Sequence, residues 1–227
     1  MKPTVLLLHA FPLGPEMWDD VRAPLEADGW DVRAPQLGDG DSMGAWAAAI
    51  LADTDGRLVP VGSSMGGYLA FELWRQAPDR IVGLGLVGTR PGADSAEAKE
   101  GREATLRLLA DGGLEALWEQ VGPKLTAQPS ERAREIALAQ DPDRVAAAVA
   151  AIRDRPDSTA LVPEISVPAL VVAGAEDALI PPAESVALAK ALPHAQLVLL
   201  PGVGHLPPLE RPDELAGDLL RFLSELA

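Results

Sequence analysis

The chain has 227 residues, of which 48% are hydrophobic, and this suits one well-buried α/β domain and excludes a disordered protein. Its 34 Asp and Glu against 19 Lys and Arg give a formal net charge of −15, which repels phosphate backbones and argues against nucleic-acid binding. Cys is absent, which excludes disulfides, thiolate metal sites and a Cys nucleophile.

Short apolar runs alternate with helical patterns along most of the chain. Buried strands are predicted at residues 3–9, 30–34, 59–61, 81–87, 168–174 and 196–200. Helices are predicted at residues 16–27, 43–52, 65–74, 182–191 and 213–226. A Gly- and Asp-rich loop at residues 38–42 precedes the second helix, which Ser42 is expected to cap. This alternation predicts a doubly wound, mostly parallel sheet of six strands with right-handed crossovers.

The segment between the fourth and fifth predicted strands has a different pattern. From residue 93 to 160 strand signals disappear, and apolar residues recur at helical spacing among Ala and Glu. We expect an all-helical cap at residues 93–160. It would be inserted into a core made of residues 1–92 and 161–227.

A G-x-S-x-G motif lies at residues 62–66, between the third strand and its helix, with Ser64 at the centre. A chain that turns from strand to helix in so few residues must bend sharply at Ser64, so Gly62 and Gly66 are best without a Cβ. The bend would lift the Ser64 hydroxyl above the sheet, beside the backbone N–H groups of a helix start. This stretch resembles the nucleophile elbow of the α/β-hydrolase family, with Ser64 as the nucleophile.

A serine nucleophile needs a base, and the chain has three histidines. In the family that the elbow resembles, the base follows the serine in the sequence, which disfavours His9. His194 precedes the last strand and is expected at the wrong end of the sheet. His205 follows the last strand in a Gly-rich loop, at the end where active sites of open α/β sheets lie. The resemblance therefore implies His205 as the catalytic base.

The acid is expected after the fifth strand. Residues 169–181 resemble the family's strand–Gly–x–x–Asp–x–x–x–Pro pattern and put Asp177 in the position of the acid. There it would hold the imidazole tautomer and stabilise the imidazolium. The adjacent Glu176 is its main competitor.

The resemblance also implies an oxyanion hole built from two backbone N–H groups. One belongs to Met65, which follows the serine, and the other to Phe11, in the loop after the first strand. Ala10 stands where the family usually has Gly. The first strand begins almost at Met1, so the chain resembles a family member that lacks the N-terminal antiparallel strand pair.

Other side chains are candidates for a substrate pocket beneath the cap. Leu117 and Trp118 are apolar cap residues, and Phe11 and Leu13 lie in the loop after the first strand. Arg90, beyond the fourth strand, could bind a substrate carboxylate. With a cap of only about 70 residues, the pocket is expected at the lower end of the usual ~300–1,000 Å³ range.

The family resemblance implies a serine hydrolase acting on small carboxylic esters or lactones through an acyl-enzyme. The short cap and residues 154–158 look like those of esterases and enol-lactonases. A carbon–carbon bond hydrolase, an acyltransferase and a cofactor-free haloperoxidase use the same triad and stay open. A non-catalytic binding protein of the same fold is a further alternative, which the intact set of Ser64, Asp177 and His205 disfavours.

The remaining expectations concern location and partners. The N-terminal apolar run is too short for a signal peptide and no segment is long enough to span a membrane, so a cytoplasmic protein is expected. We expect a monomer or small homo-oligomer that binds a small ester or lactone. Neither a metal nor a cofactor is expected.

Overall fold

A computed structural model describes residues 2–38, 40 and 42–226 as an open sheet covered by helices on both faces. All the strand pairs among these residues are parallel, and the strand order is β2-β1-β3-β4-β5-β6. The strands are β1 (Thr4–Leu8), β2 (Val32–Arg33), β3 (Leu58–Ser63), β4 (Leu84–Val87), β5 (Ala169–Gly174) and β6 (Ala195–Leu200). The predicted doubly wound parallel sheet of six strands is confirmed.

Helices connect the strands as the periodicity predicts. They are α1 (Asp19–Ala27), α2 (Met43–Asp53), α3 (Met65–Gln76), α4 (Ala96–Val121), α5 (Glu131–Leu138), α6 (Pro142–Asp154), α7 (Pro182–Ala191), α8 (Pro207–Glu210) and α9 (Pro212–Ser224). Short 3-10 turns lie at Pro15–Trp18, Pro78–Arg80, Gly122–Lys124 and Thr159–Glu164. Ser42 caps α2 as expected, because its side chain accepts a hydrogen bond from the Ala45 N–H. Asp39 and Asp41 of the predicted loop lie outside the described residues.

Alternate side chains of β1 enter two different cores, which is the period expected of a strand buried on both faces. Val5 and Leu7 belong to the core that α1 and α9 cover. Leu6 and Leu8 belong to the core on the opposite face, under α2 and α3. The sheet is therefore a rigid middle layer, and its strand ends are fixed positions from which loops can present side chains.

Two strands are each three residues shorter than the sequence predicts. The second is reduced from residues 30–34 to Val32–Arg33, since it is an edge strand that pairs with β1 alone over two residues. The fourth begins at Leu84 rather than Ile81, because the chain before it touches β3 only through an isolated bridge between Ile81 and Leu58. Gly85 of β4 packs closely against β3, since a Cβ there would be 2.9 Å from the Val61 side chain.

Between β4 and β5 the described chain contains the helices α4, α5 and α6 and no strand. In α4 the backbone of Gly113 has φ 66°, and this residue kinks the helix into two parts. Leu109 and Leu117 of α4 pack with Val145 of α6 in a small separate core. This helical segment (residues 96–164) returns the chain to the sheet at β5.

Among the described residues there is no helix that is both long and apolar enough to cross a membrane. The same part of the chain contains no cluster of three or more His, Cys, Asp or Glu side chains that could hold a metal ion.

His9, directly after β1, is 3% exposed and joins two loops at the carboxyl end of the sheet. Its Nε2 accepts a hydrogen bond from the Leu37 N–H at 3.0 Å, so its Nδ1 carries the proton and donates to the Ala10 carbonyl at 3.2 Å. Burial lowers the pKa of His9 from 6.5 to about 4, against a smaller opposing effect of the bond to Ala10. The imidazole is therefore neutral over the physiological range.

This burial predicts an acid-sensitive fold. Between pH 6.5 and about 4, His9 is protonated in the unfolded chain but neutral in the folded chain. The free energy of unfolding therefore falls as the pH is lowered through this range. His9 alone lowers the free energy of unfolding by about 3 kcal/mol over this range. Urea unfolding between pH 7 and 4 should show a shallower pH dependence in His9→Asn than in the wild type. His194→Asn, which changes an exposed histidine, serves as the control; equal slopes in the wild type and His9→Asn would contradict the argument.

Candidate active site

Ser64 lies at the turn between β3 and α3, and it is the one non-glycine residue with positive φ in the described ranges (φ 51°, ψ −108°). Two hydrogen bonds from neighbouring elements hold this strained backbone. The Ser64 N–H donates to the Val87 carbonyl at 2.8 Å, and the Thr89 hydroxyl donates to the Ser64 carbonyl at 2.9 Å. The turn is thus fixed from the end of β4.

Three glycines allow this turn to exist. A Cβ on Gly62 would lie 2.2 Å from the Gly66 backbone, and one on Gly66 would lie 2.1 Å from the Leu8 carbonyl oxygen. A Cβ on Gly67 would be 2.4 Å from the Thr89 hydroxyl. The sequence argument for Gly62 and Gly66 agrees with these contacts, whereas Gly67 was not singled out. Helix α3 can therefore start directly behind Ser64 and against β1.

His205 and Asp177 form a buried pair. The His205 Nδ1 lies 2.7 Å from the Asp177 Oδ2, and the two residues are 2% and 5% exposed. The Asp177 Oδ1 accepts hydrogen bonds from the Leu179 and Ile180 N–H groups, both at 2.9 Å. Both carboxylate oxygens are thus occupied, and the acceptor at Oδ2 makes the His205 Nδ1 the protonated nitrogen. The other ring nitrogen is left as an acceptor.

The two competing residues lie elsewhere. Glu176 is exposed, and its N–H donates to the Val203 carbonyl at 2.8 Å. His194 is also exposed, and it precedes β6 at the opposite end of the sheet from His205. Neither side chain is among the described residues that line the cavity of Ser64.

Ser64 and His205 share one cavity of about 150 Å³ at the carboxyl end of the sheet. Its described lining is Phe11, Ser64, Tyr68, Arg90, Arg102, Val121, Leu125, Ile152, Leu179, Ile180 and His205. The register explains why distant loops meet here, since Leu8 pairs with Gly62 and Ser63 with Val87. The residues after β1, β3 and β4 consequently emerge side by side. The cavity is smaller than the sequence led us to expect.

The residues expected to form the oxyanion hole flank Ser64. Met65 is the first residue of α3, and N–H groups in the first turn of a helix have no partner within that helix. Phe11 follows β1 and lines the cavity with Ser64. The Leu13 N–H closes the loop of Phe11 by donating to the Ala10 carbonyl at 2.9 Å.

Two of the pocket candidates, Arg90 and Phe11, lie in the wall of the cavity. Among the described lining residues, Leu13, Leu117 and Trp118 are absent. Leu13 lies in a smaller recess with His9, and Leu117 is buried inside the core of the helical segment. Trp118 faces a separate groove with Pro123 and Arg134. Helical spacing placed Leu117 and Trp118 on an apolar stripe but could not tell which neighbours each side chain contacts.

Two further residues that sequence reasoning missed position the His205 loop. Gly88 has φ 53°, and a Cβ there would lie 3.4 Å from the His205 Nδ1. The Glu210 carboxylate accepts hydrogen bonds from the N–H groups of Gly204 at 2.9 Å and Leu206 at 3.1 Å, on both sides of His205. It also accepts from the Ala127 N–H at 2.8 Å, in the helical segment. The sequence gives no signal for the bond between Glu210 and Ala127, because these residues are 83 positions apart.

Comparisons with known proteins agree with this architecture. The family described as "Alpha/beta hydrolase family" matches residues 5–219. A pimeloyl-[acyl-carrier protein] methyl ester esterase from Aromatoleum aromaticum is 29% identical, over 95% of this chain and 96% of its own length. A thermophilic esterase from Thermogutta terrifontis, solved with malate bound, is 36% identical with a TM-score of 0.91, covering 100% of this chain and 91% of that chain.

A further solved structure is the enol-lactonase from Burkholderia xenovorans LB400. It is 26% identical with a TM-score of 0.85, and the match covers 99% of this chain and 92% of that chain. Since the family match covers residues 5–219, which is nearly the whole sequence, the chain belongs to the alpha/beta hydrolase family.

Proposed function

We propose that the protein is a serine hydrolase that cleaves small carboxylic esters or lactones with Ser64, His205 and Asp177. The observation that carries this proposal is the 2.7 Å contact between His205 Nδ1 and Asp177, with His205 and Ser64 in one small cavity. The Asp177 carboxylate keeps the proton on Nδ1, so Nε2 is available as a base. A serine at a helix start, beside backbone N–H groups, is the complementary nucleophile.

In the proposed reaction the Ser64 Oγ attacks the carbonyl carbon while its proton passes to the His205 Nε2. The negative charge that develops on the carbonyl oxygen is stabilised by the N–H groups of Phe11 and Met65. His205 then gives the proton to the leaving alkoxide, and the C–O bond breaks to leave an acyl-enzyme. Water repeats the sequence, releases the acid and restores Ser64.

The names of the relatives favour ester and lactone substrates over the other chemistries of this triad. The relatives described above are called methyl ester esterase, esterase and enol-lactonase. Carbon–carbon bond hydrolysis, acyl transfer and haloperoxidation stay as alternatives that the same residues could perform. The proposal for this chain is limited to the bond type, a carboxylic ester or lactone.

We further propose that residues 93–160 act as a cap over the site. Arg102 and Val121 of α4 and Ile152 of α6 line the cavity with Ser64. The helical segment therefore closes the side of the cavity opposite the sheet. Closure of this kind excludes water and limits the length of the acyl chain.

Substitutions at the triad should separate chemistry from folding. Ser64→Ala and His205→Ala should abolish hydrolysis of 4-nitrophenyl acetate, and Asp177→Asn should lower kcat by up to about 10⁴-fold through loss of the correct tautomer. A phosphonate should label one serine per chain, in the peptide that contains Ser64. Mass spectrometry and steady-state kinetics check both outcomes.

The matched controls are an exposed histidine and an exposed acidic residue outside the proposed triad. His194→Ala and Glu176→Gln should retain wild-type rates, because neither side chain is recorded in the wall of the cavity. A larger loss in Glu176→Gln than in Asp177→Asn would show that the acid is wrongly assigned. Phosphonate label on Ser63, or full activity without any label, would show that Ser64 is not the nucleophile.

Glu210 should act on turnover through the position of His205. Glu210→Gln removes the charge that holds the Gly204 and Leu206 N–H groups, and a displacement of His205 by about 1 Å can lower kcat by up to about 10²-fold. KM should change little, because Glu210 is not among the residues recorded in the cavity wall. Glu214→Gln, an exposed carboxylate on α9, is the control. A loss of thermal stability with unchanged kcat would assign Glu210 a structural role alone.

The small cavity predicts a preference for short acyl chains. Each methylene that meets an apolar wall contributes about 0.8 kcal/mol, and one left in water contributes nothing. With about 150 Å³ available, acetyl to hexanoyl esters should be cleaved faster than dodecanoyl esters. The measurement is kcat/KM across a chain-length series at fixed salt and detergent; a maximum at dodecanoyl or beyond would contradict the proposed closure by the cap.

A further inference from the structure

The charged side chains in the wall of the Ser64 cavity are of one sign. Arg90, after β4, and Arg102, on α4, line the cavity, and its described lining contains no Asp or Glu. The whole chain has a formal net charge of −15, so a wall with only cations opposes the average charge of the molecule. Local charge of this kind selects the sign of a ligand.

The two arginines are held in place by one buried carboxylate. The Asp94 side chain is fully buried, and its oxygens contact the Arg102 Nε at 3.0 Å and the Arg90 Nη2 at 3.5 Å. A third arginine, Arg155, donates to the same carboxylate from Nη1 at 2.8 Å. Three positive charges thus share one negative charge, and the cluster of Arg90, Arg102, Arg155 and Asp94 has a formal excess of two positive charges.

Arg155 is the structural member of this cluster. Its side chain is 2% exposed, and it also donates to the Ile152 carbonyl and the Gly92 carbonyl, each at 2.8 Å. Its guanidinium lies over the Tyr68 ring at 4.1 Å. Both terminal nitrogens of Arg155 therefore donate hydrogen bonds within the protein.

Arg90 and Arg102 have capacity left for a ligand. Their side chains are 35% and 29% exposed, and both reach the cavity. The Arg90 Nε is buried and has no hydrogen-bond partner in the described ranges. A guanidinium has five N–H donors, and within the described part of the chain Arg90 and Arg102 each donate one hydrogen bond, to Asp94. Their remaining donors can serve an acceptor in the cavity.

Asp94 does not neutralise the cluster by taking up a proton. Its burial acts to raise its pKa, but the hydrogen bonds and charges of Arg102 and Arg155 outweigh that effect, and the pKa of Asp94 is lowered. The carboxylate is therefore ionised at neutral pH, and it keeps the arginines in position rather than competing for a proton.

We propose that Arg90 and Arg102 form a carboxylate subsite, so that the substrate is a short ester or lactone that carries a free carboxylate, such as a half-ester of a dicarboxylic acid. This inference rests on the proposed function, because the reacting carbonyl is placed by Ser64. Guanidinium groups bind planar carboxylates with paired, charge-assisted hydrogen bonds. The cavity of about 150 Å³ and the acidic chain favour one small monoanion over a large or multiply charged ligand.

The test compares monomethyl glutarate with methyl glutaramate, its neutral amide isostere. At low ionic strength the wild type should hydrolyse the anion with at least a tenfold higher kcat/KM, mainly through KM, since hydrogen bonds to charged groups are the stronger ones. Arg90→Gln and Arg102→Gln should each lower this ratio by about tenfold. Arg102→Lys keeps the charge and should retain more of the preference than Arg102→Gln. Salt should weaken the preference.

The matched control is Arg107→Gln, which removes the same charge from an exposed position on the same helix and should leave the ratio unchanged. A second measurement does not depend on turnover or on the arginine variants. Calorimetric titration of the Ser64→Ala variant should show tighter binding of monomethyl glutarate than of methyl glutaramate.

The outcomes separate this inference from the proposed function. Equal rates and equal binding for the anion and the amide would overturn the subsite while leaving ester hydrolysis intact. A preference that persists in both Gln variants would overturn the assignment to Arg90 and Arg102. Tighter binding of the anion to Ser64→Ala, without hydrolysis of either ester by the wild type, would support the subsite and refute the proposed reaction.

Discussion

The strained backbone of Ser64 is the constraint on which the site depends. A positive φ at a residue with a side chain costs of order 1–3 kcal/mol, so its surroundings must impose it. They do so through β4, whose end bonds both the N–H and the carbonyl of Ser64, and through glycines that let α3 approach β1. The strain is thus offset by packing across three neighbouring strands. The proposed nucleophile is rigid because the sheet beneath it is.

Asp177 and His205 lie at the same edge of the sheet as Ser64, because the carboxyl ends of parallel strands share one edge. Asp177 follows β5 and His205 follows β6, and these strands pair in register from Ala169 with Ala195 to Gly174 with Leu200. A Cβ on Gly174 would lie 2.0 Å from the Gly204 carbonyl, so the loops after both strands are in direct contact. The short distance between the imidazole and its carboxylate follows from this contact. The long-range bond of Glu210 then fixes the His205 loop to the helical segment.

The sequence predicted the parts of this arrangement that depend on local patterns. Strand and helix order, the glycines around Ser64 and the placement of His205 beyond the last strand all follow from residue spacing. The pocket did not follow, since Leu117 and Trp118 are adjacent in α4 and lie in two different environments, neither of them the wall of the cavity. The role of Asp94 was also beyond a local pattern, because its partner Arg155 is 61 residues away. Patterns fix which residues are buried, and only the packing of helices against the sheet decides which of them face a ligand.

The Asp94 cluster joins the residues of the proposed carboxylate subsite to the helical segment. Arg90 belongs to the loop after β4, Arg102 to α4, and Arg155 directly follows α6. One carboxylate therefore joins the sheet edge to the first and the last α-helix of the helical segment. Buried charges are tolerated only when they are paired, and here the pairing requires the three pieces of chain to be assembled together. An anion bound between Arg90 and Arg102 would add a second negative charge to a cluster that has a formal excess of two positive charges. It would therefore strengthen the attraction that holds the helical segment to the sheet edge. In the proposed subsite, the charge of the substrate would therefore be coupled by electrostatics to the position of the helical segment.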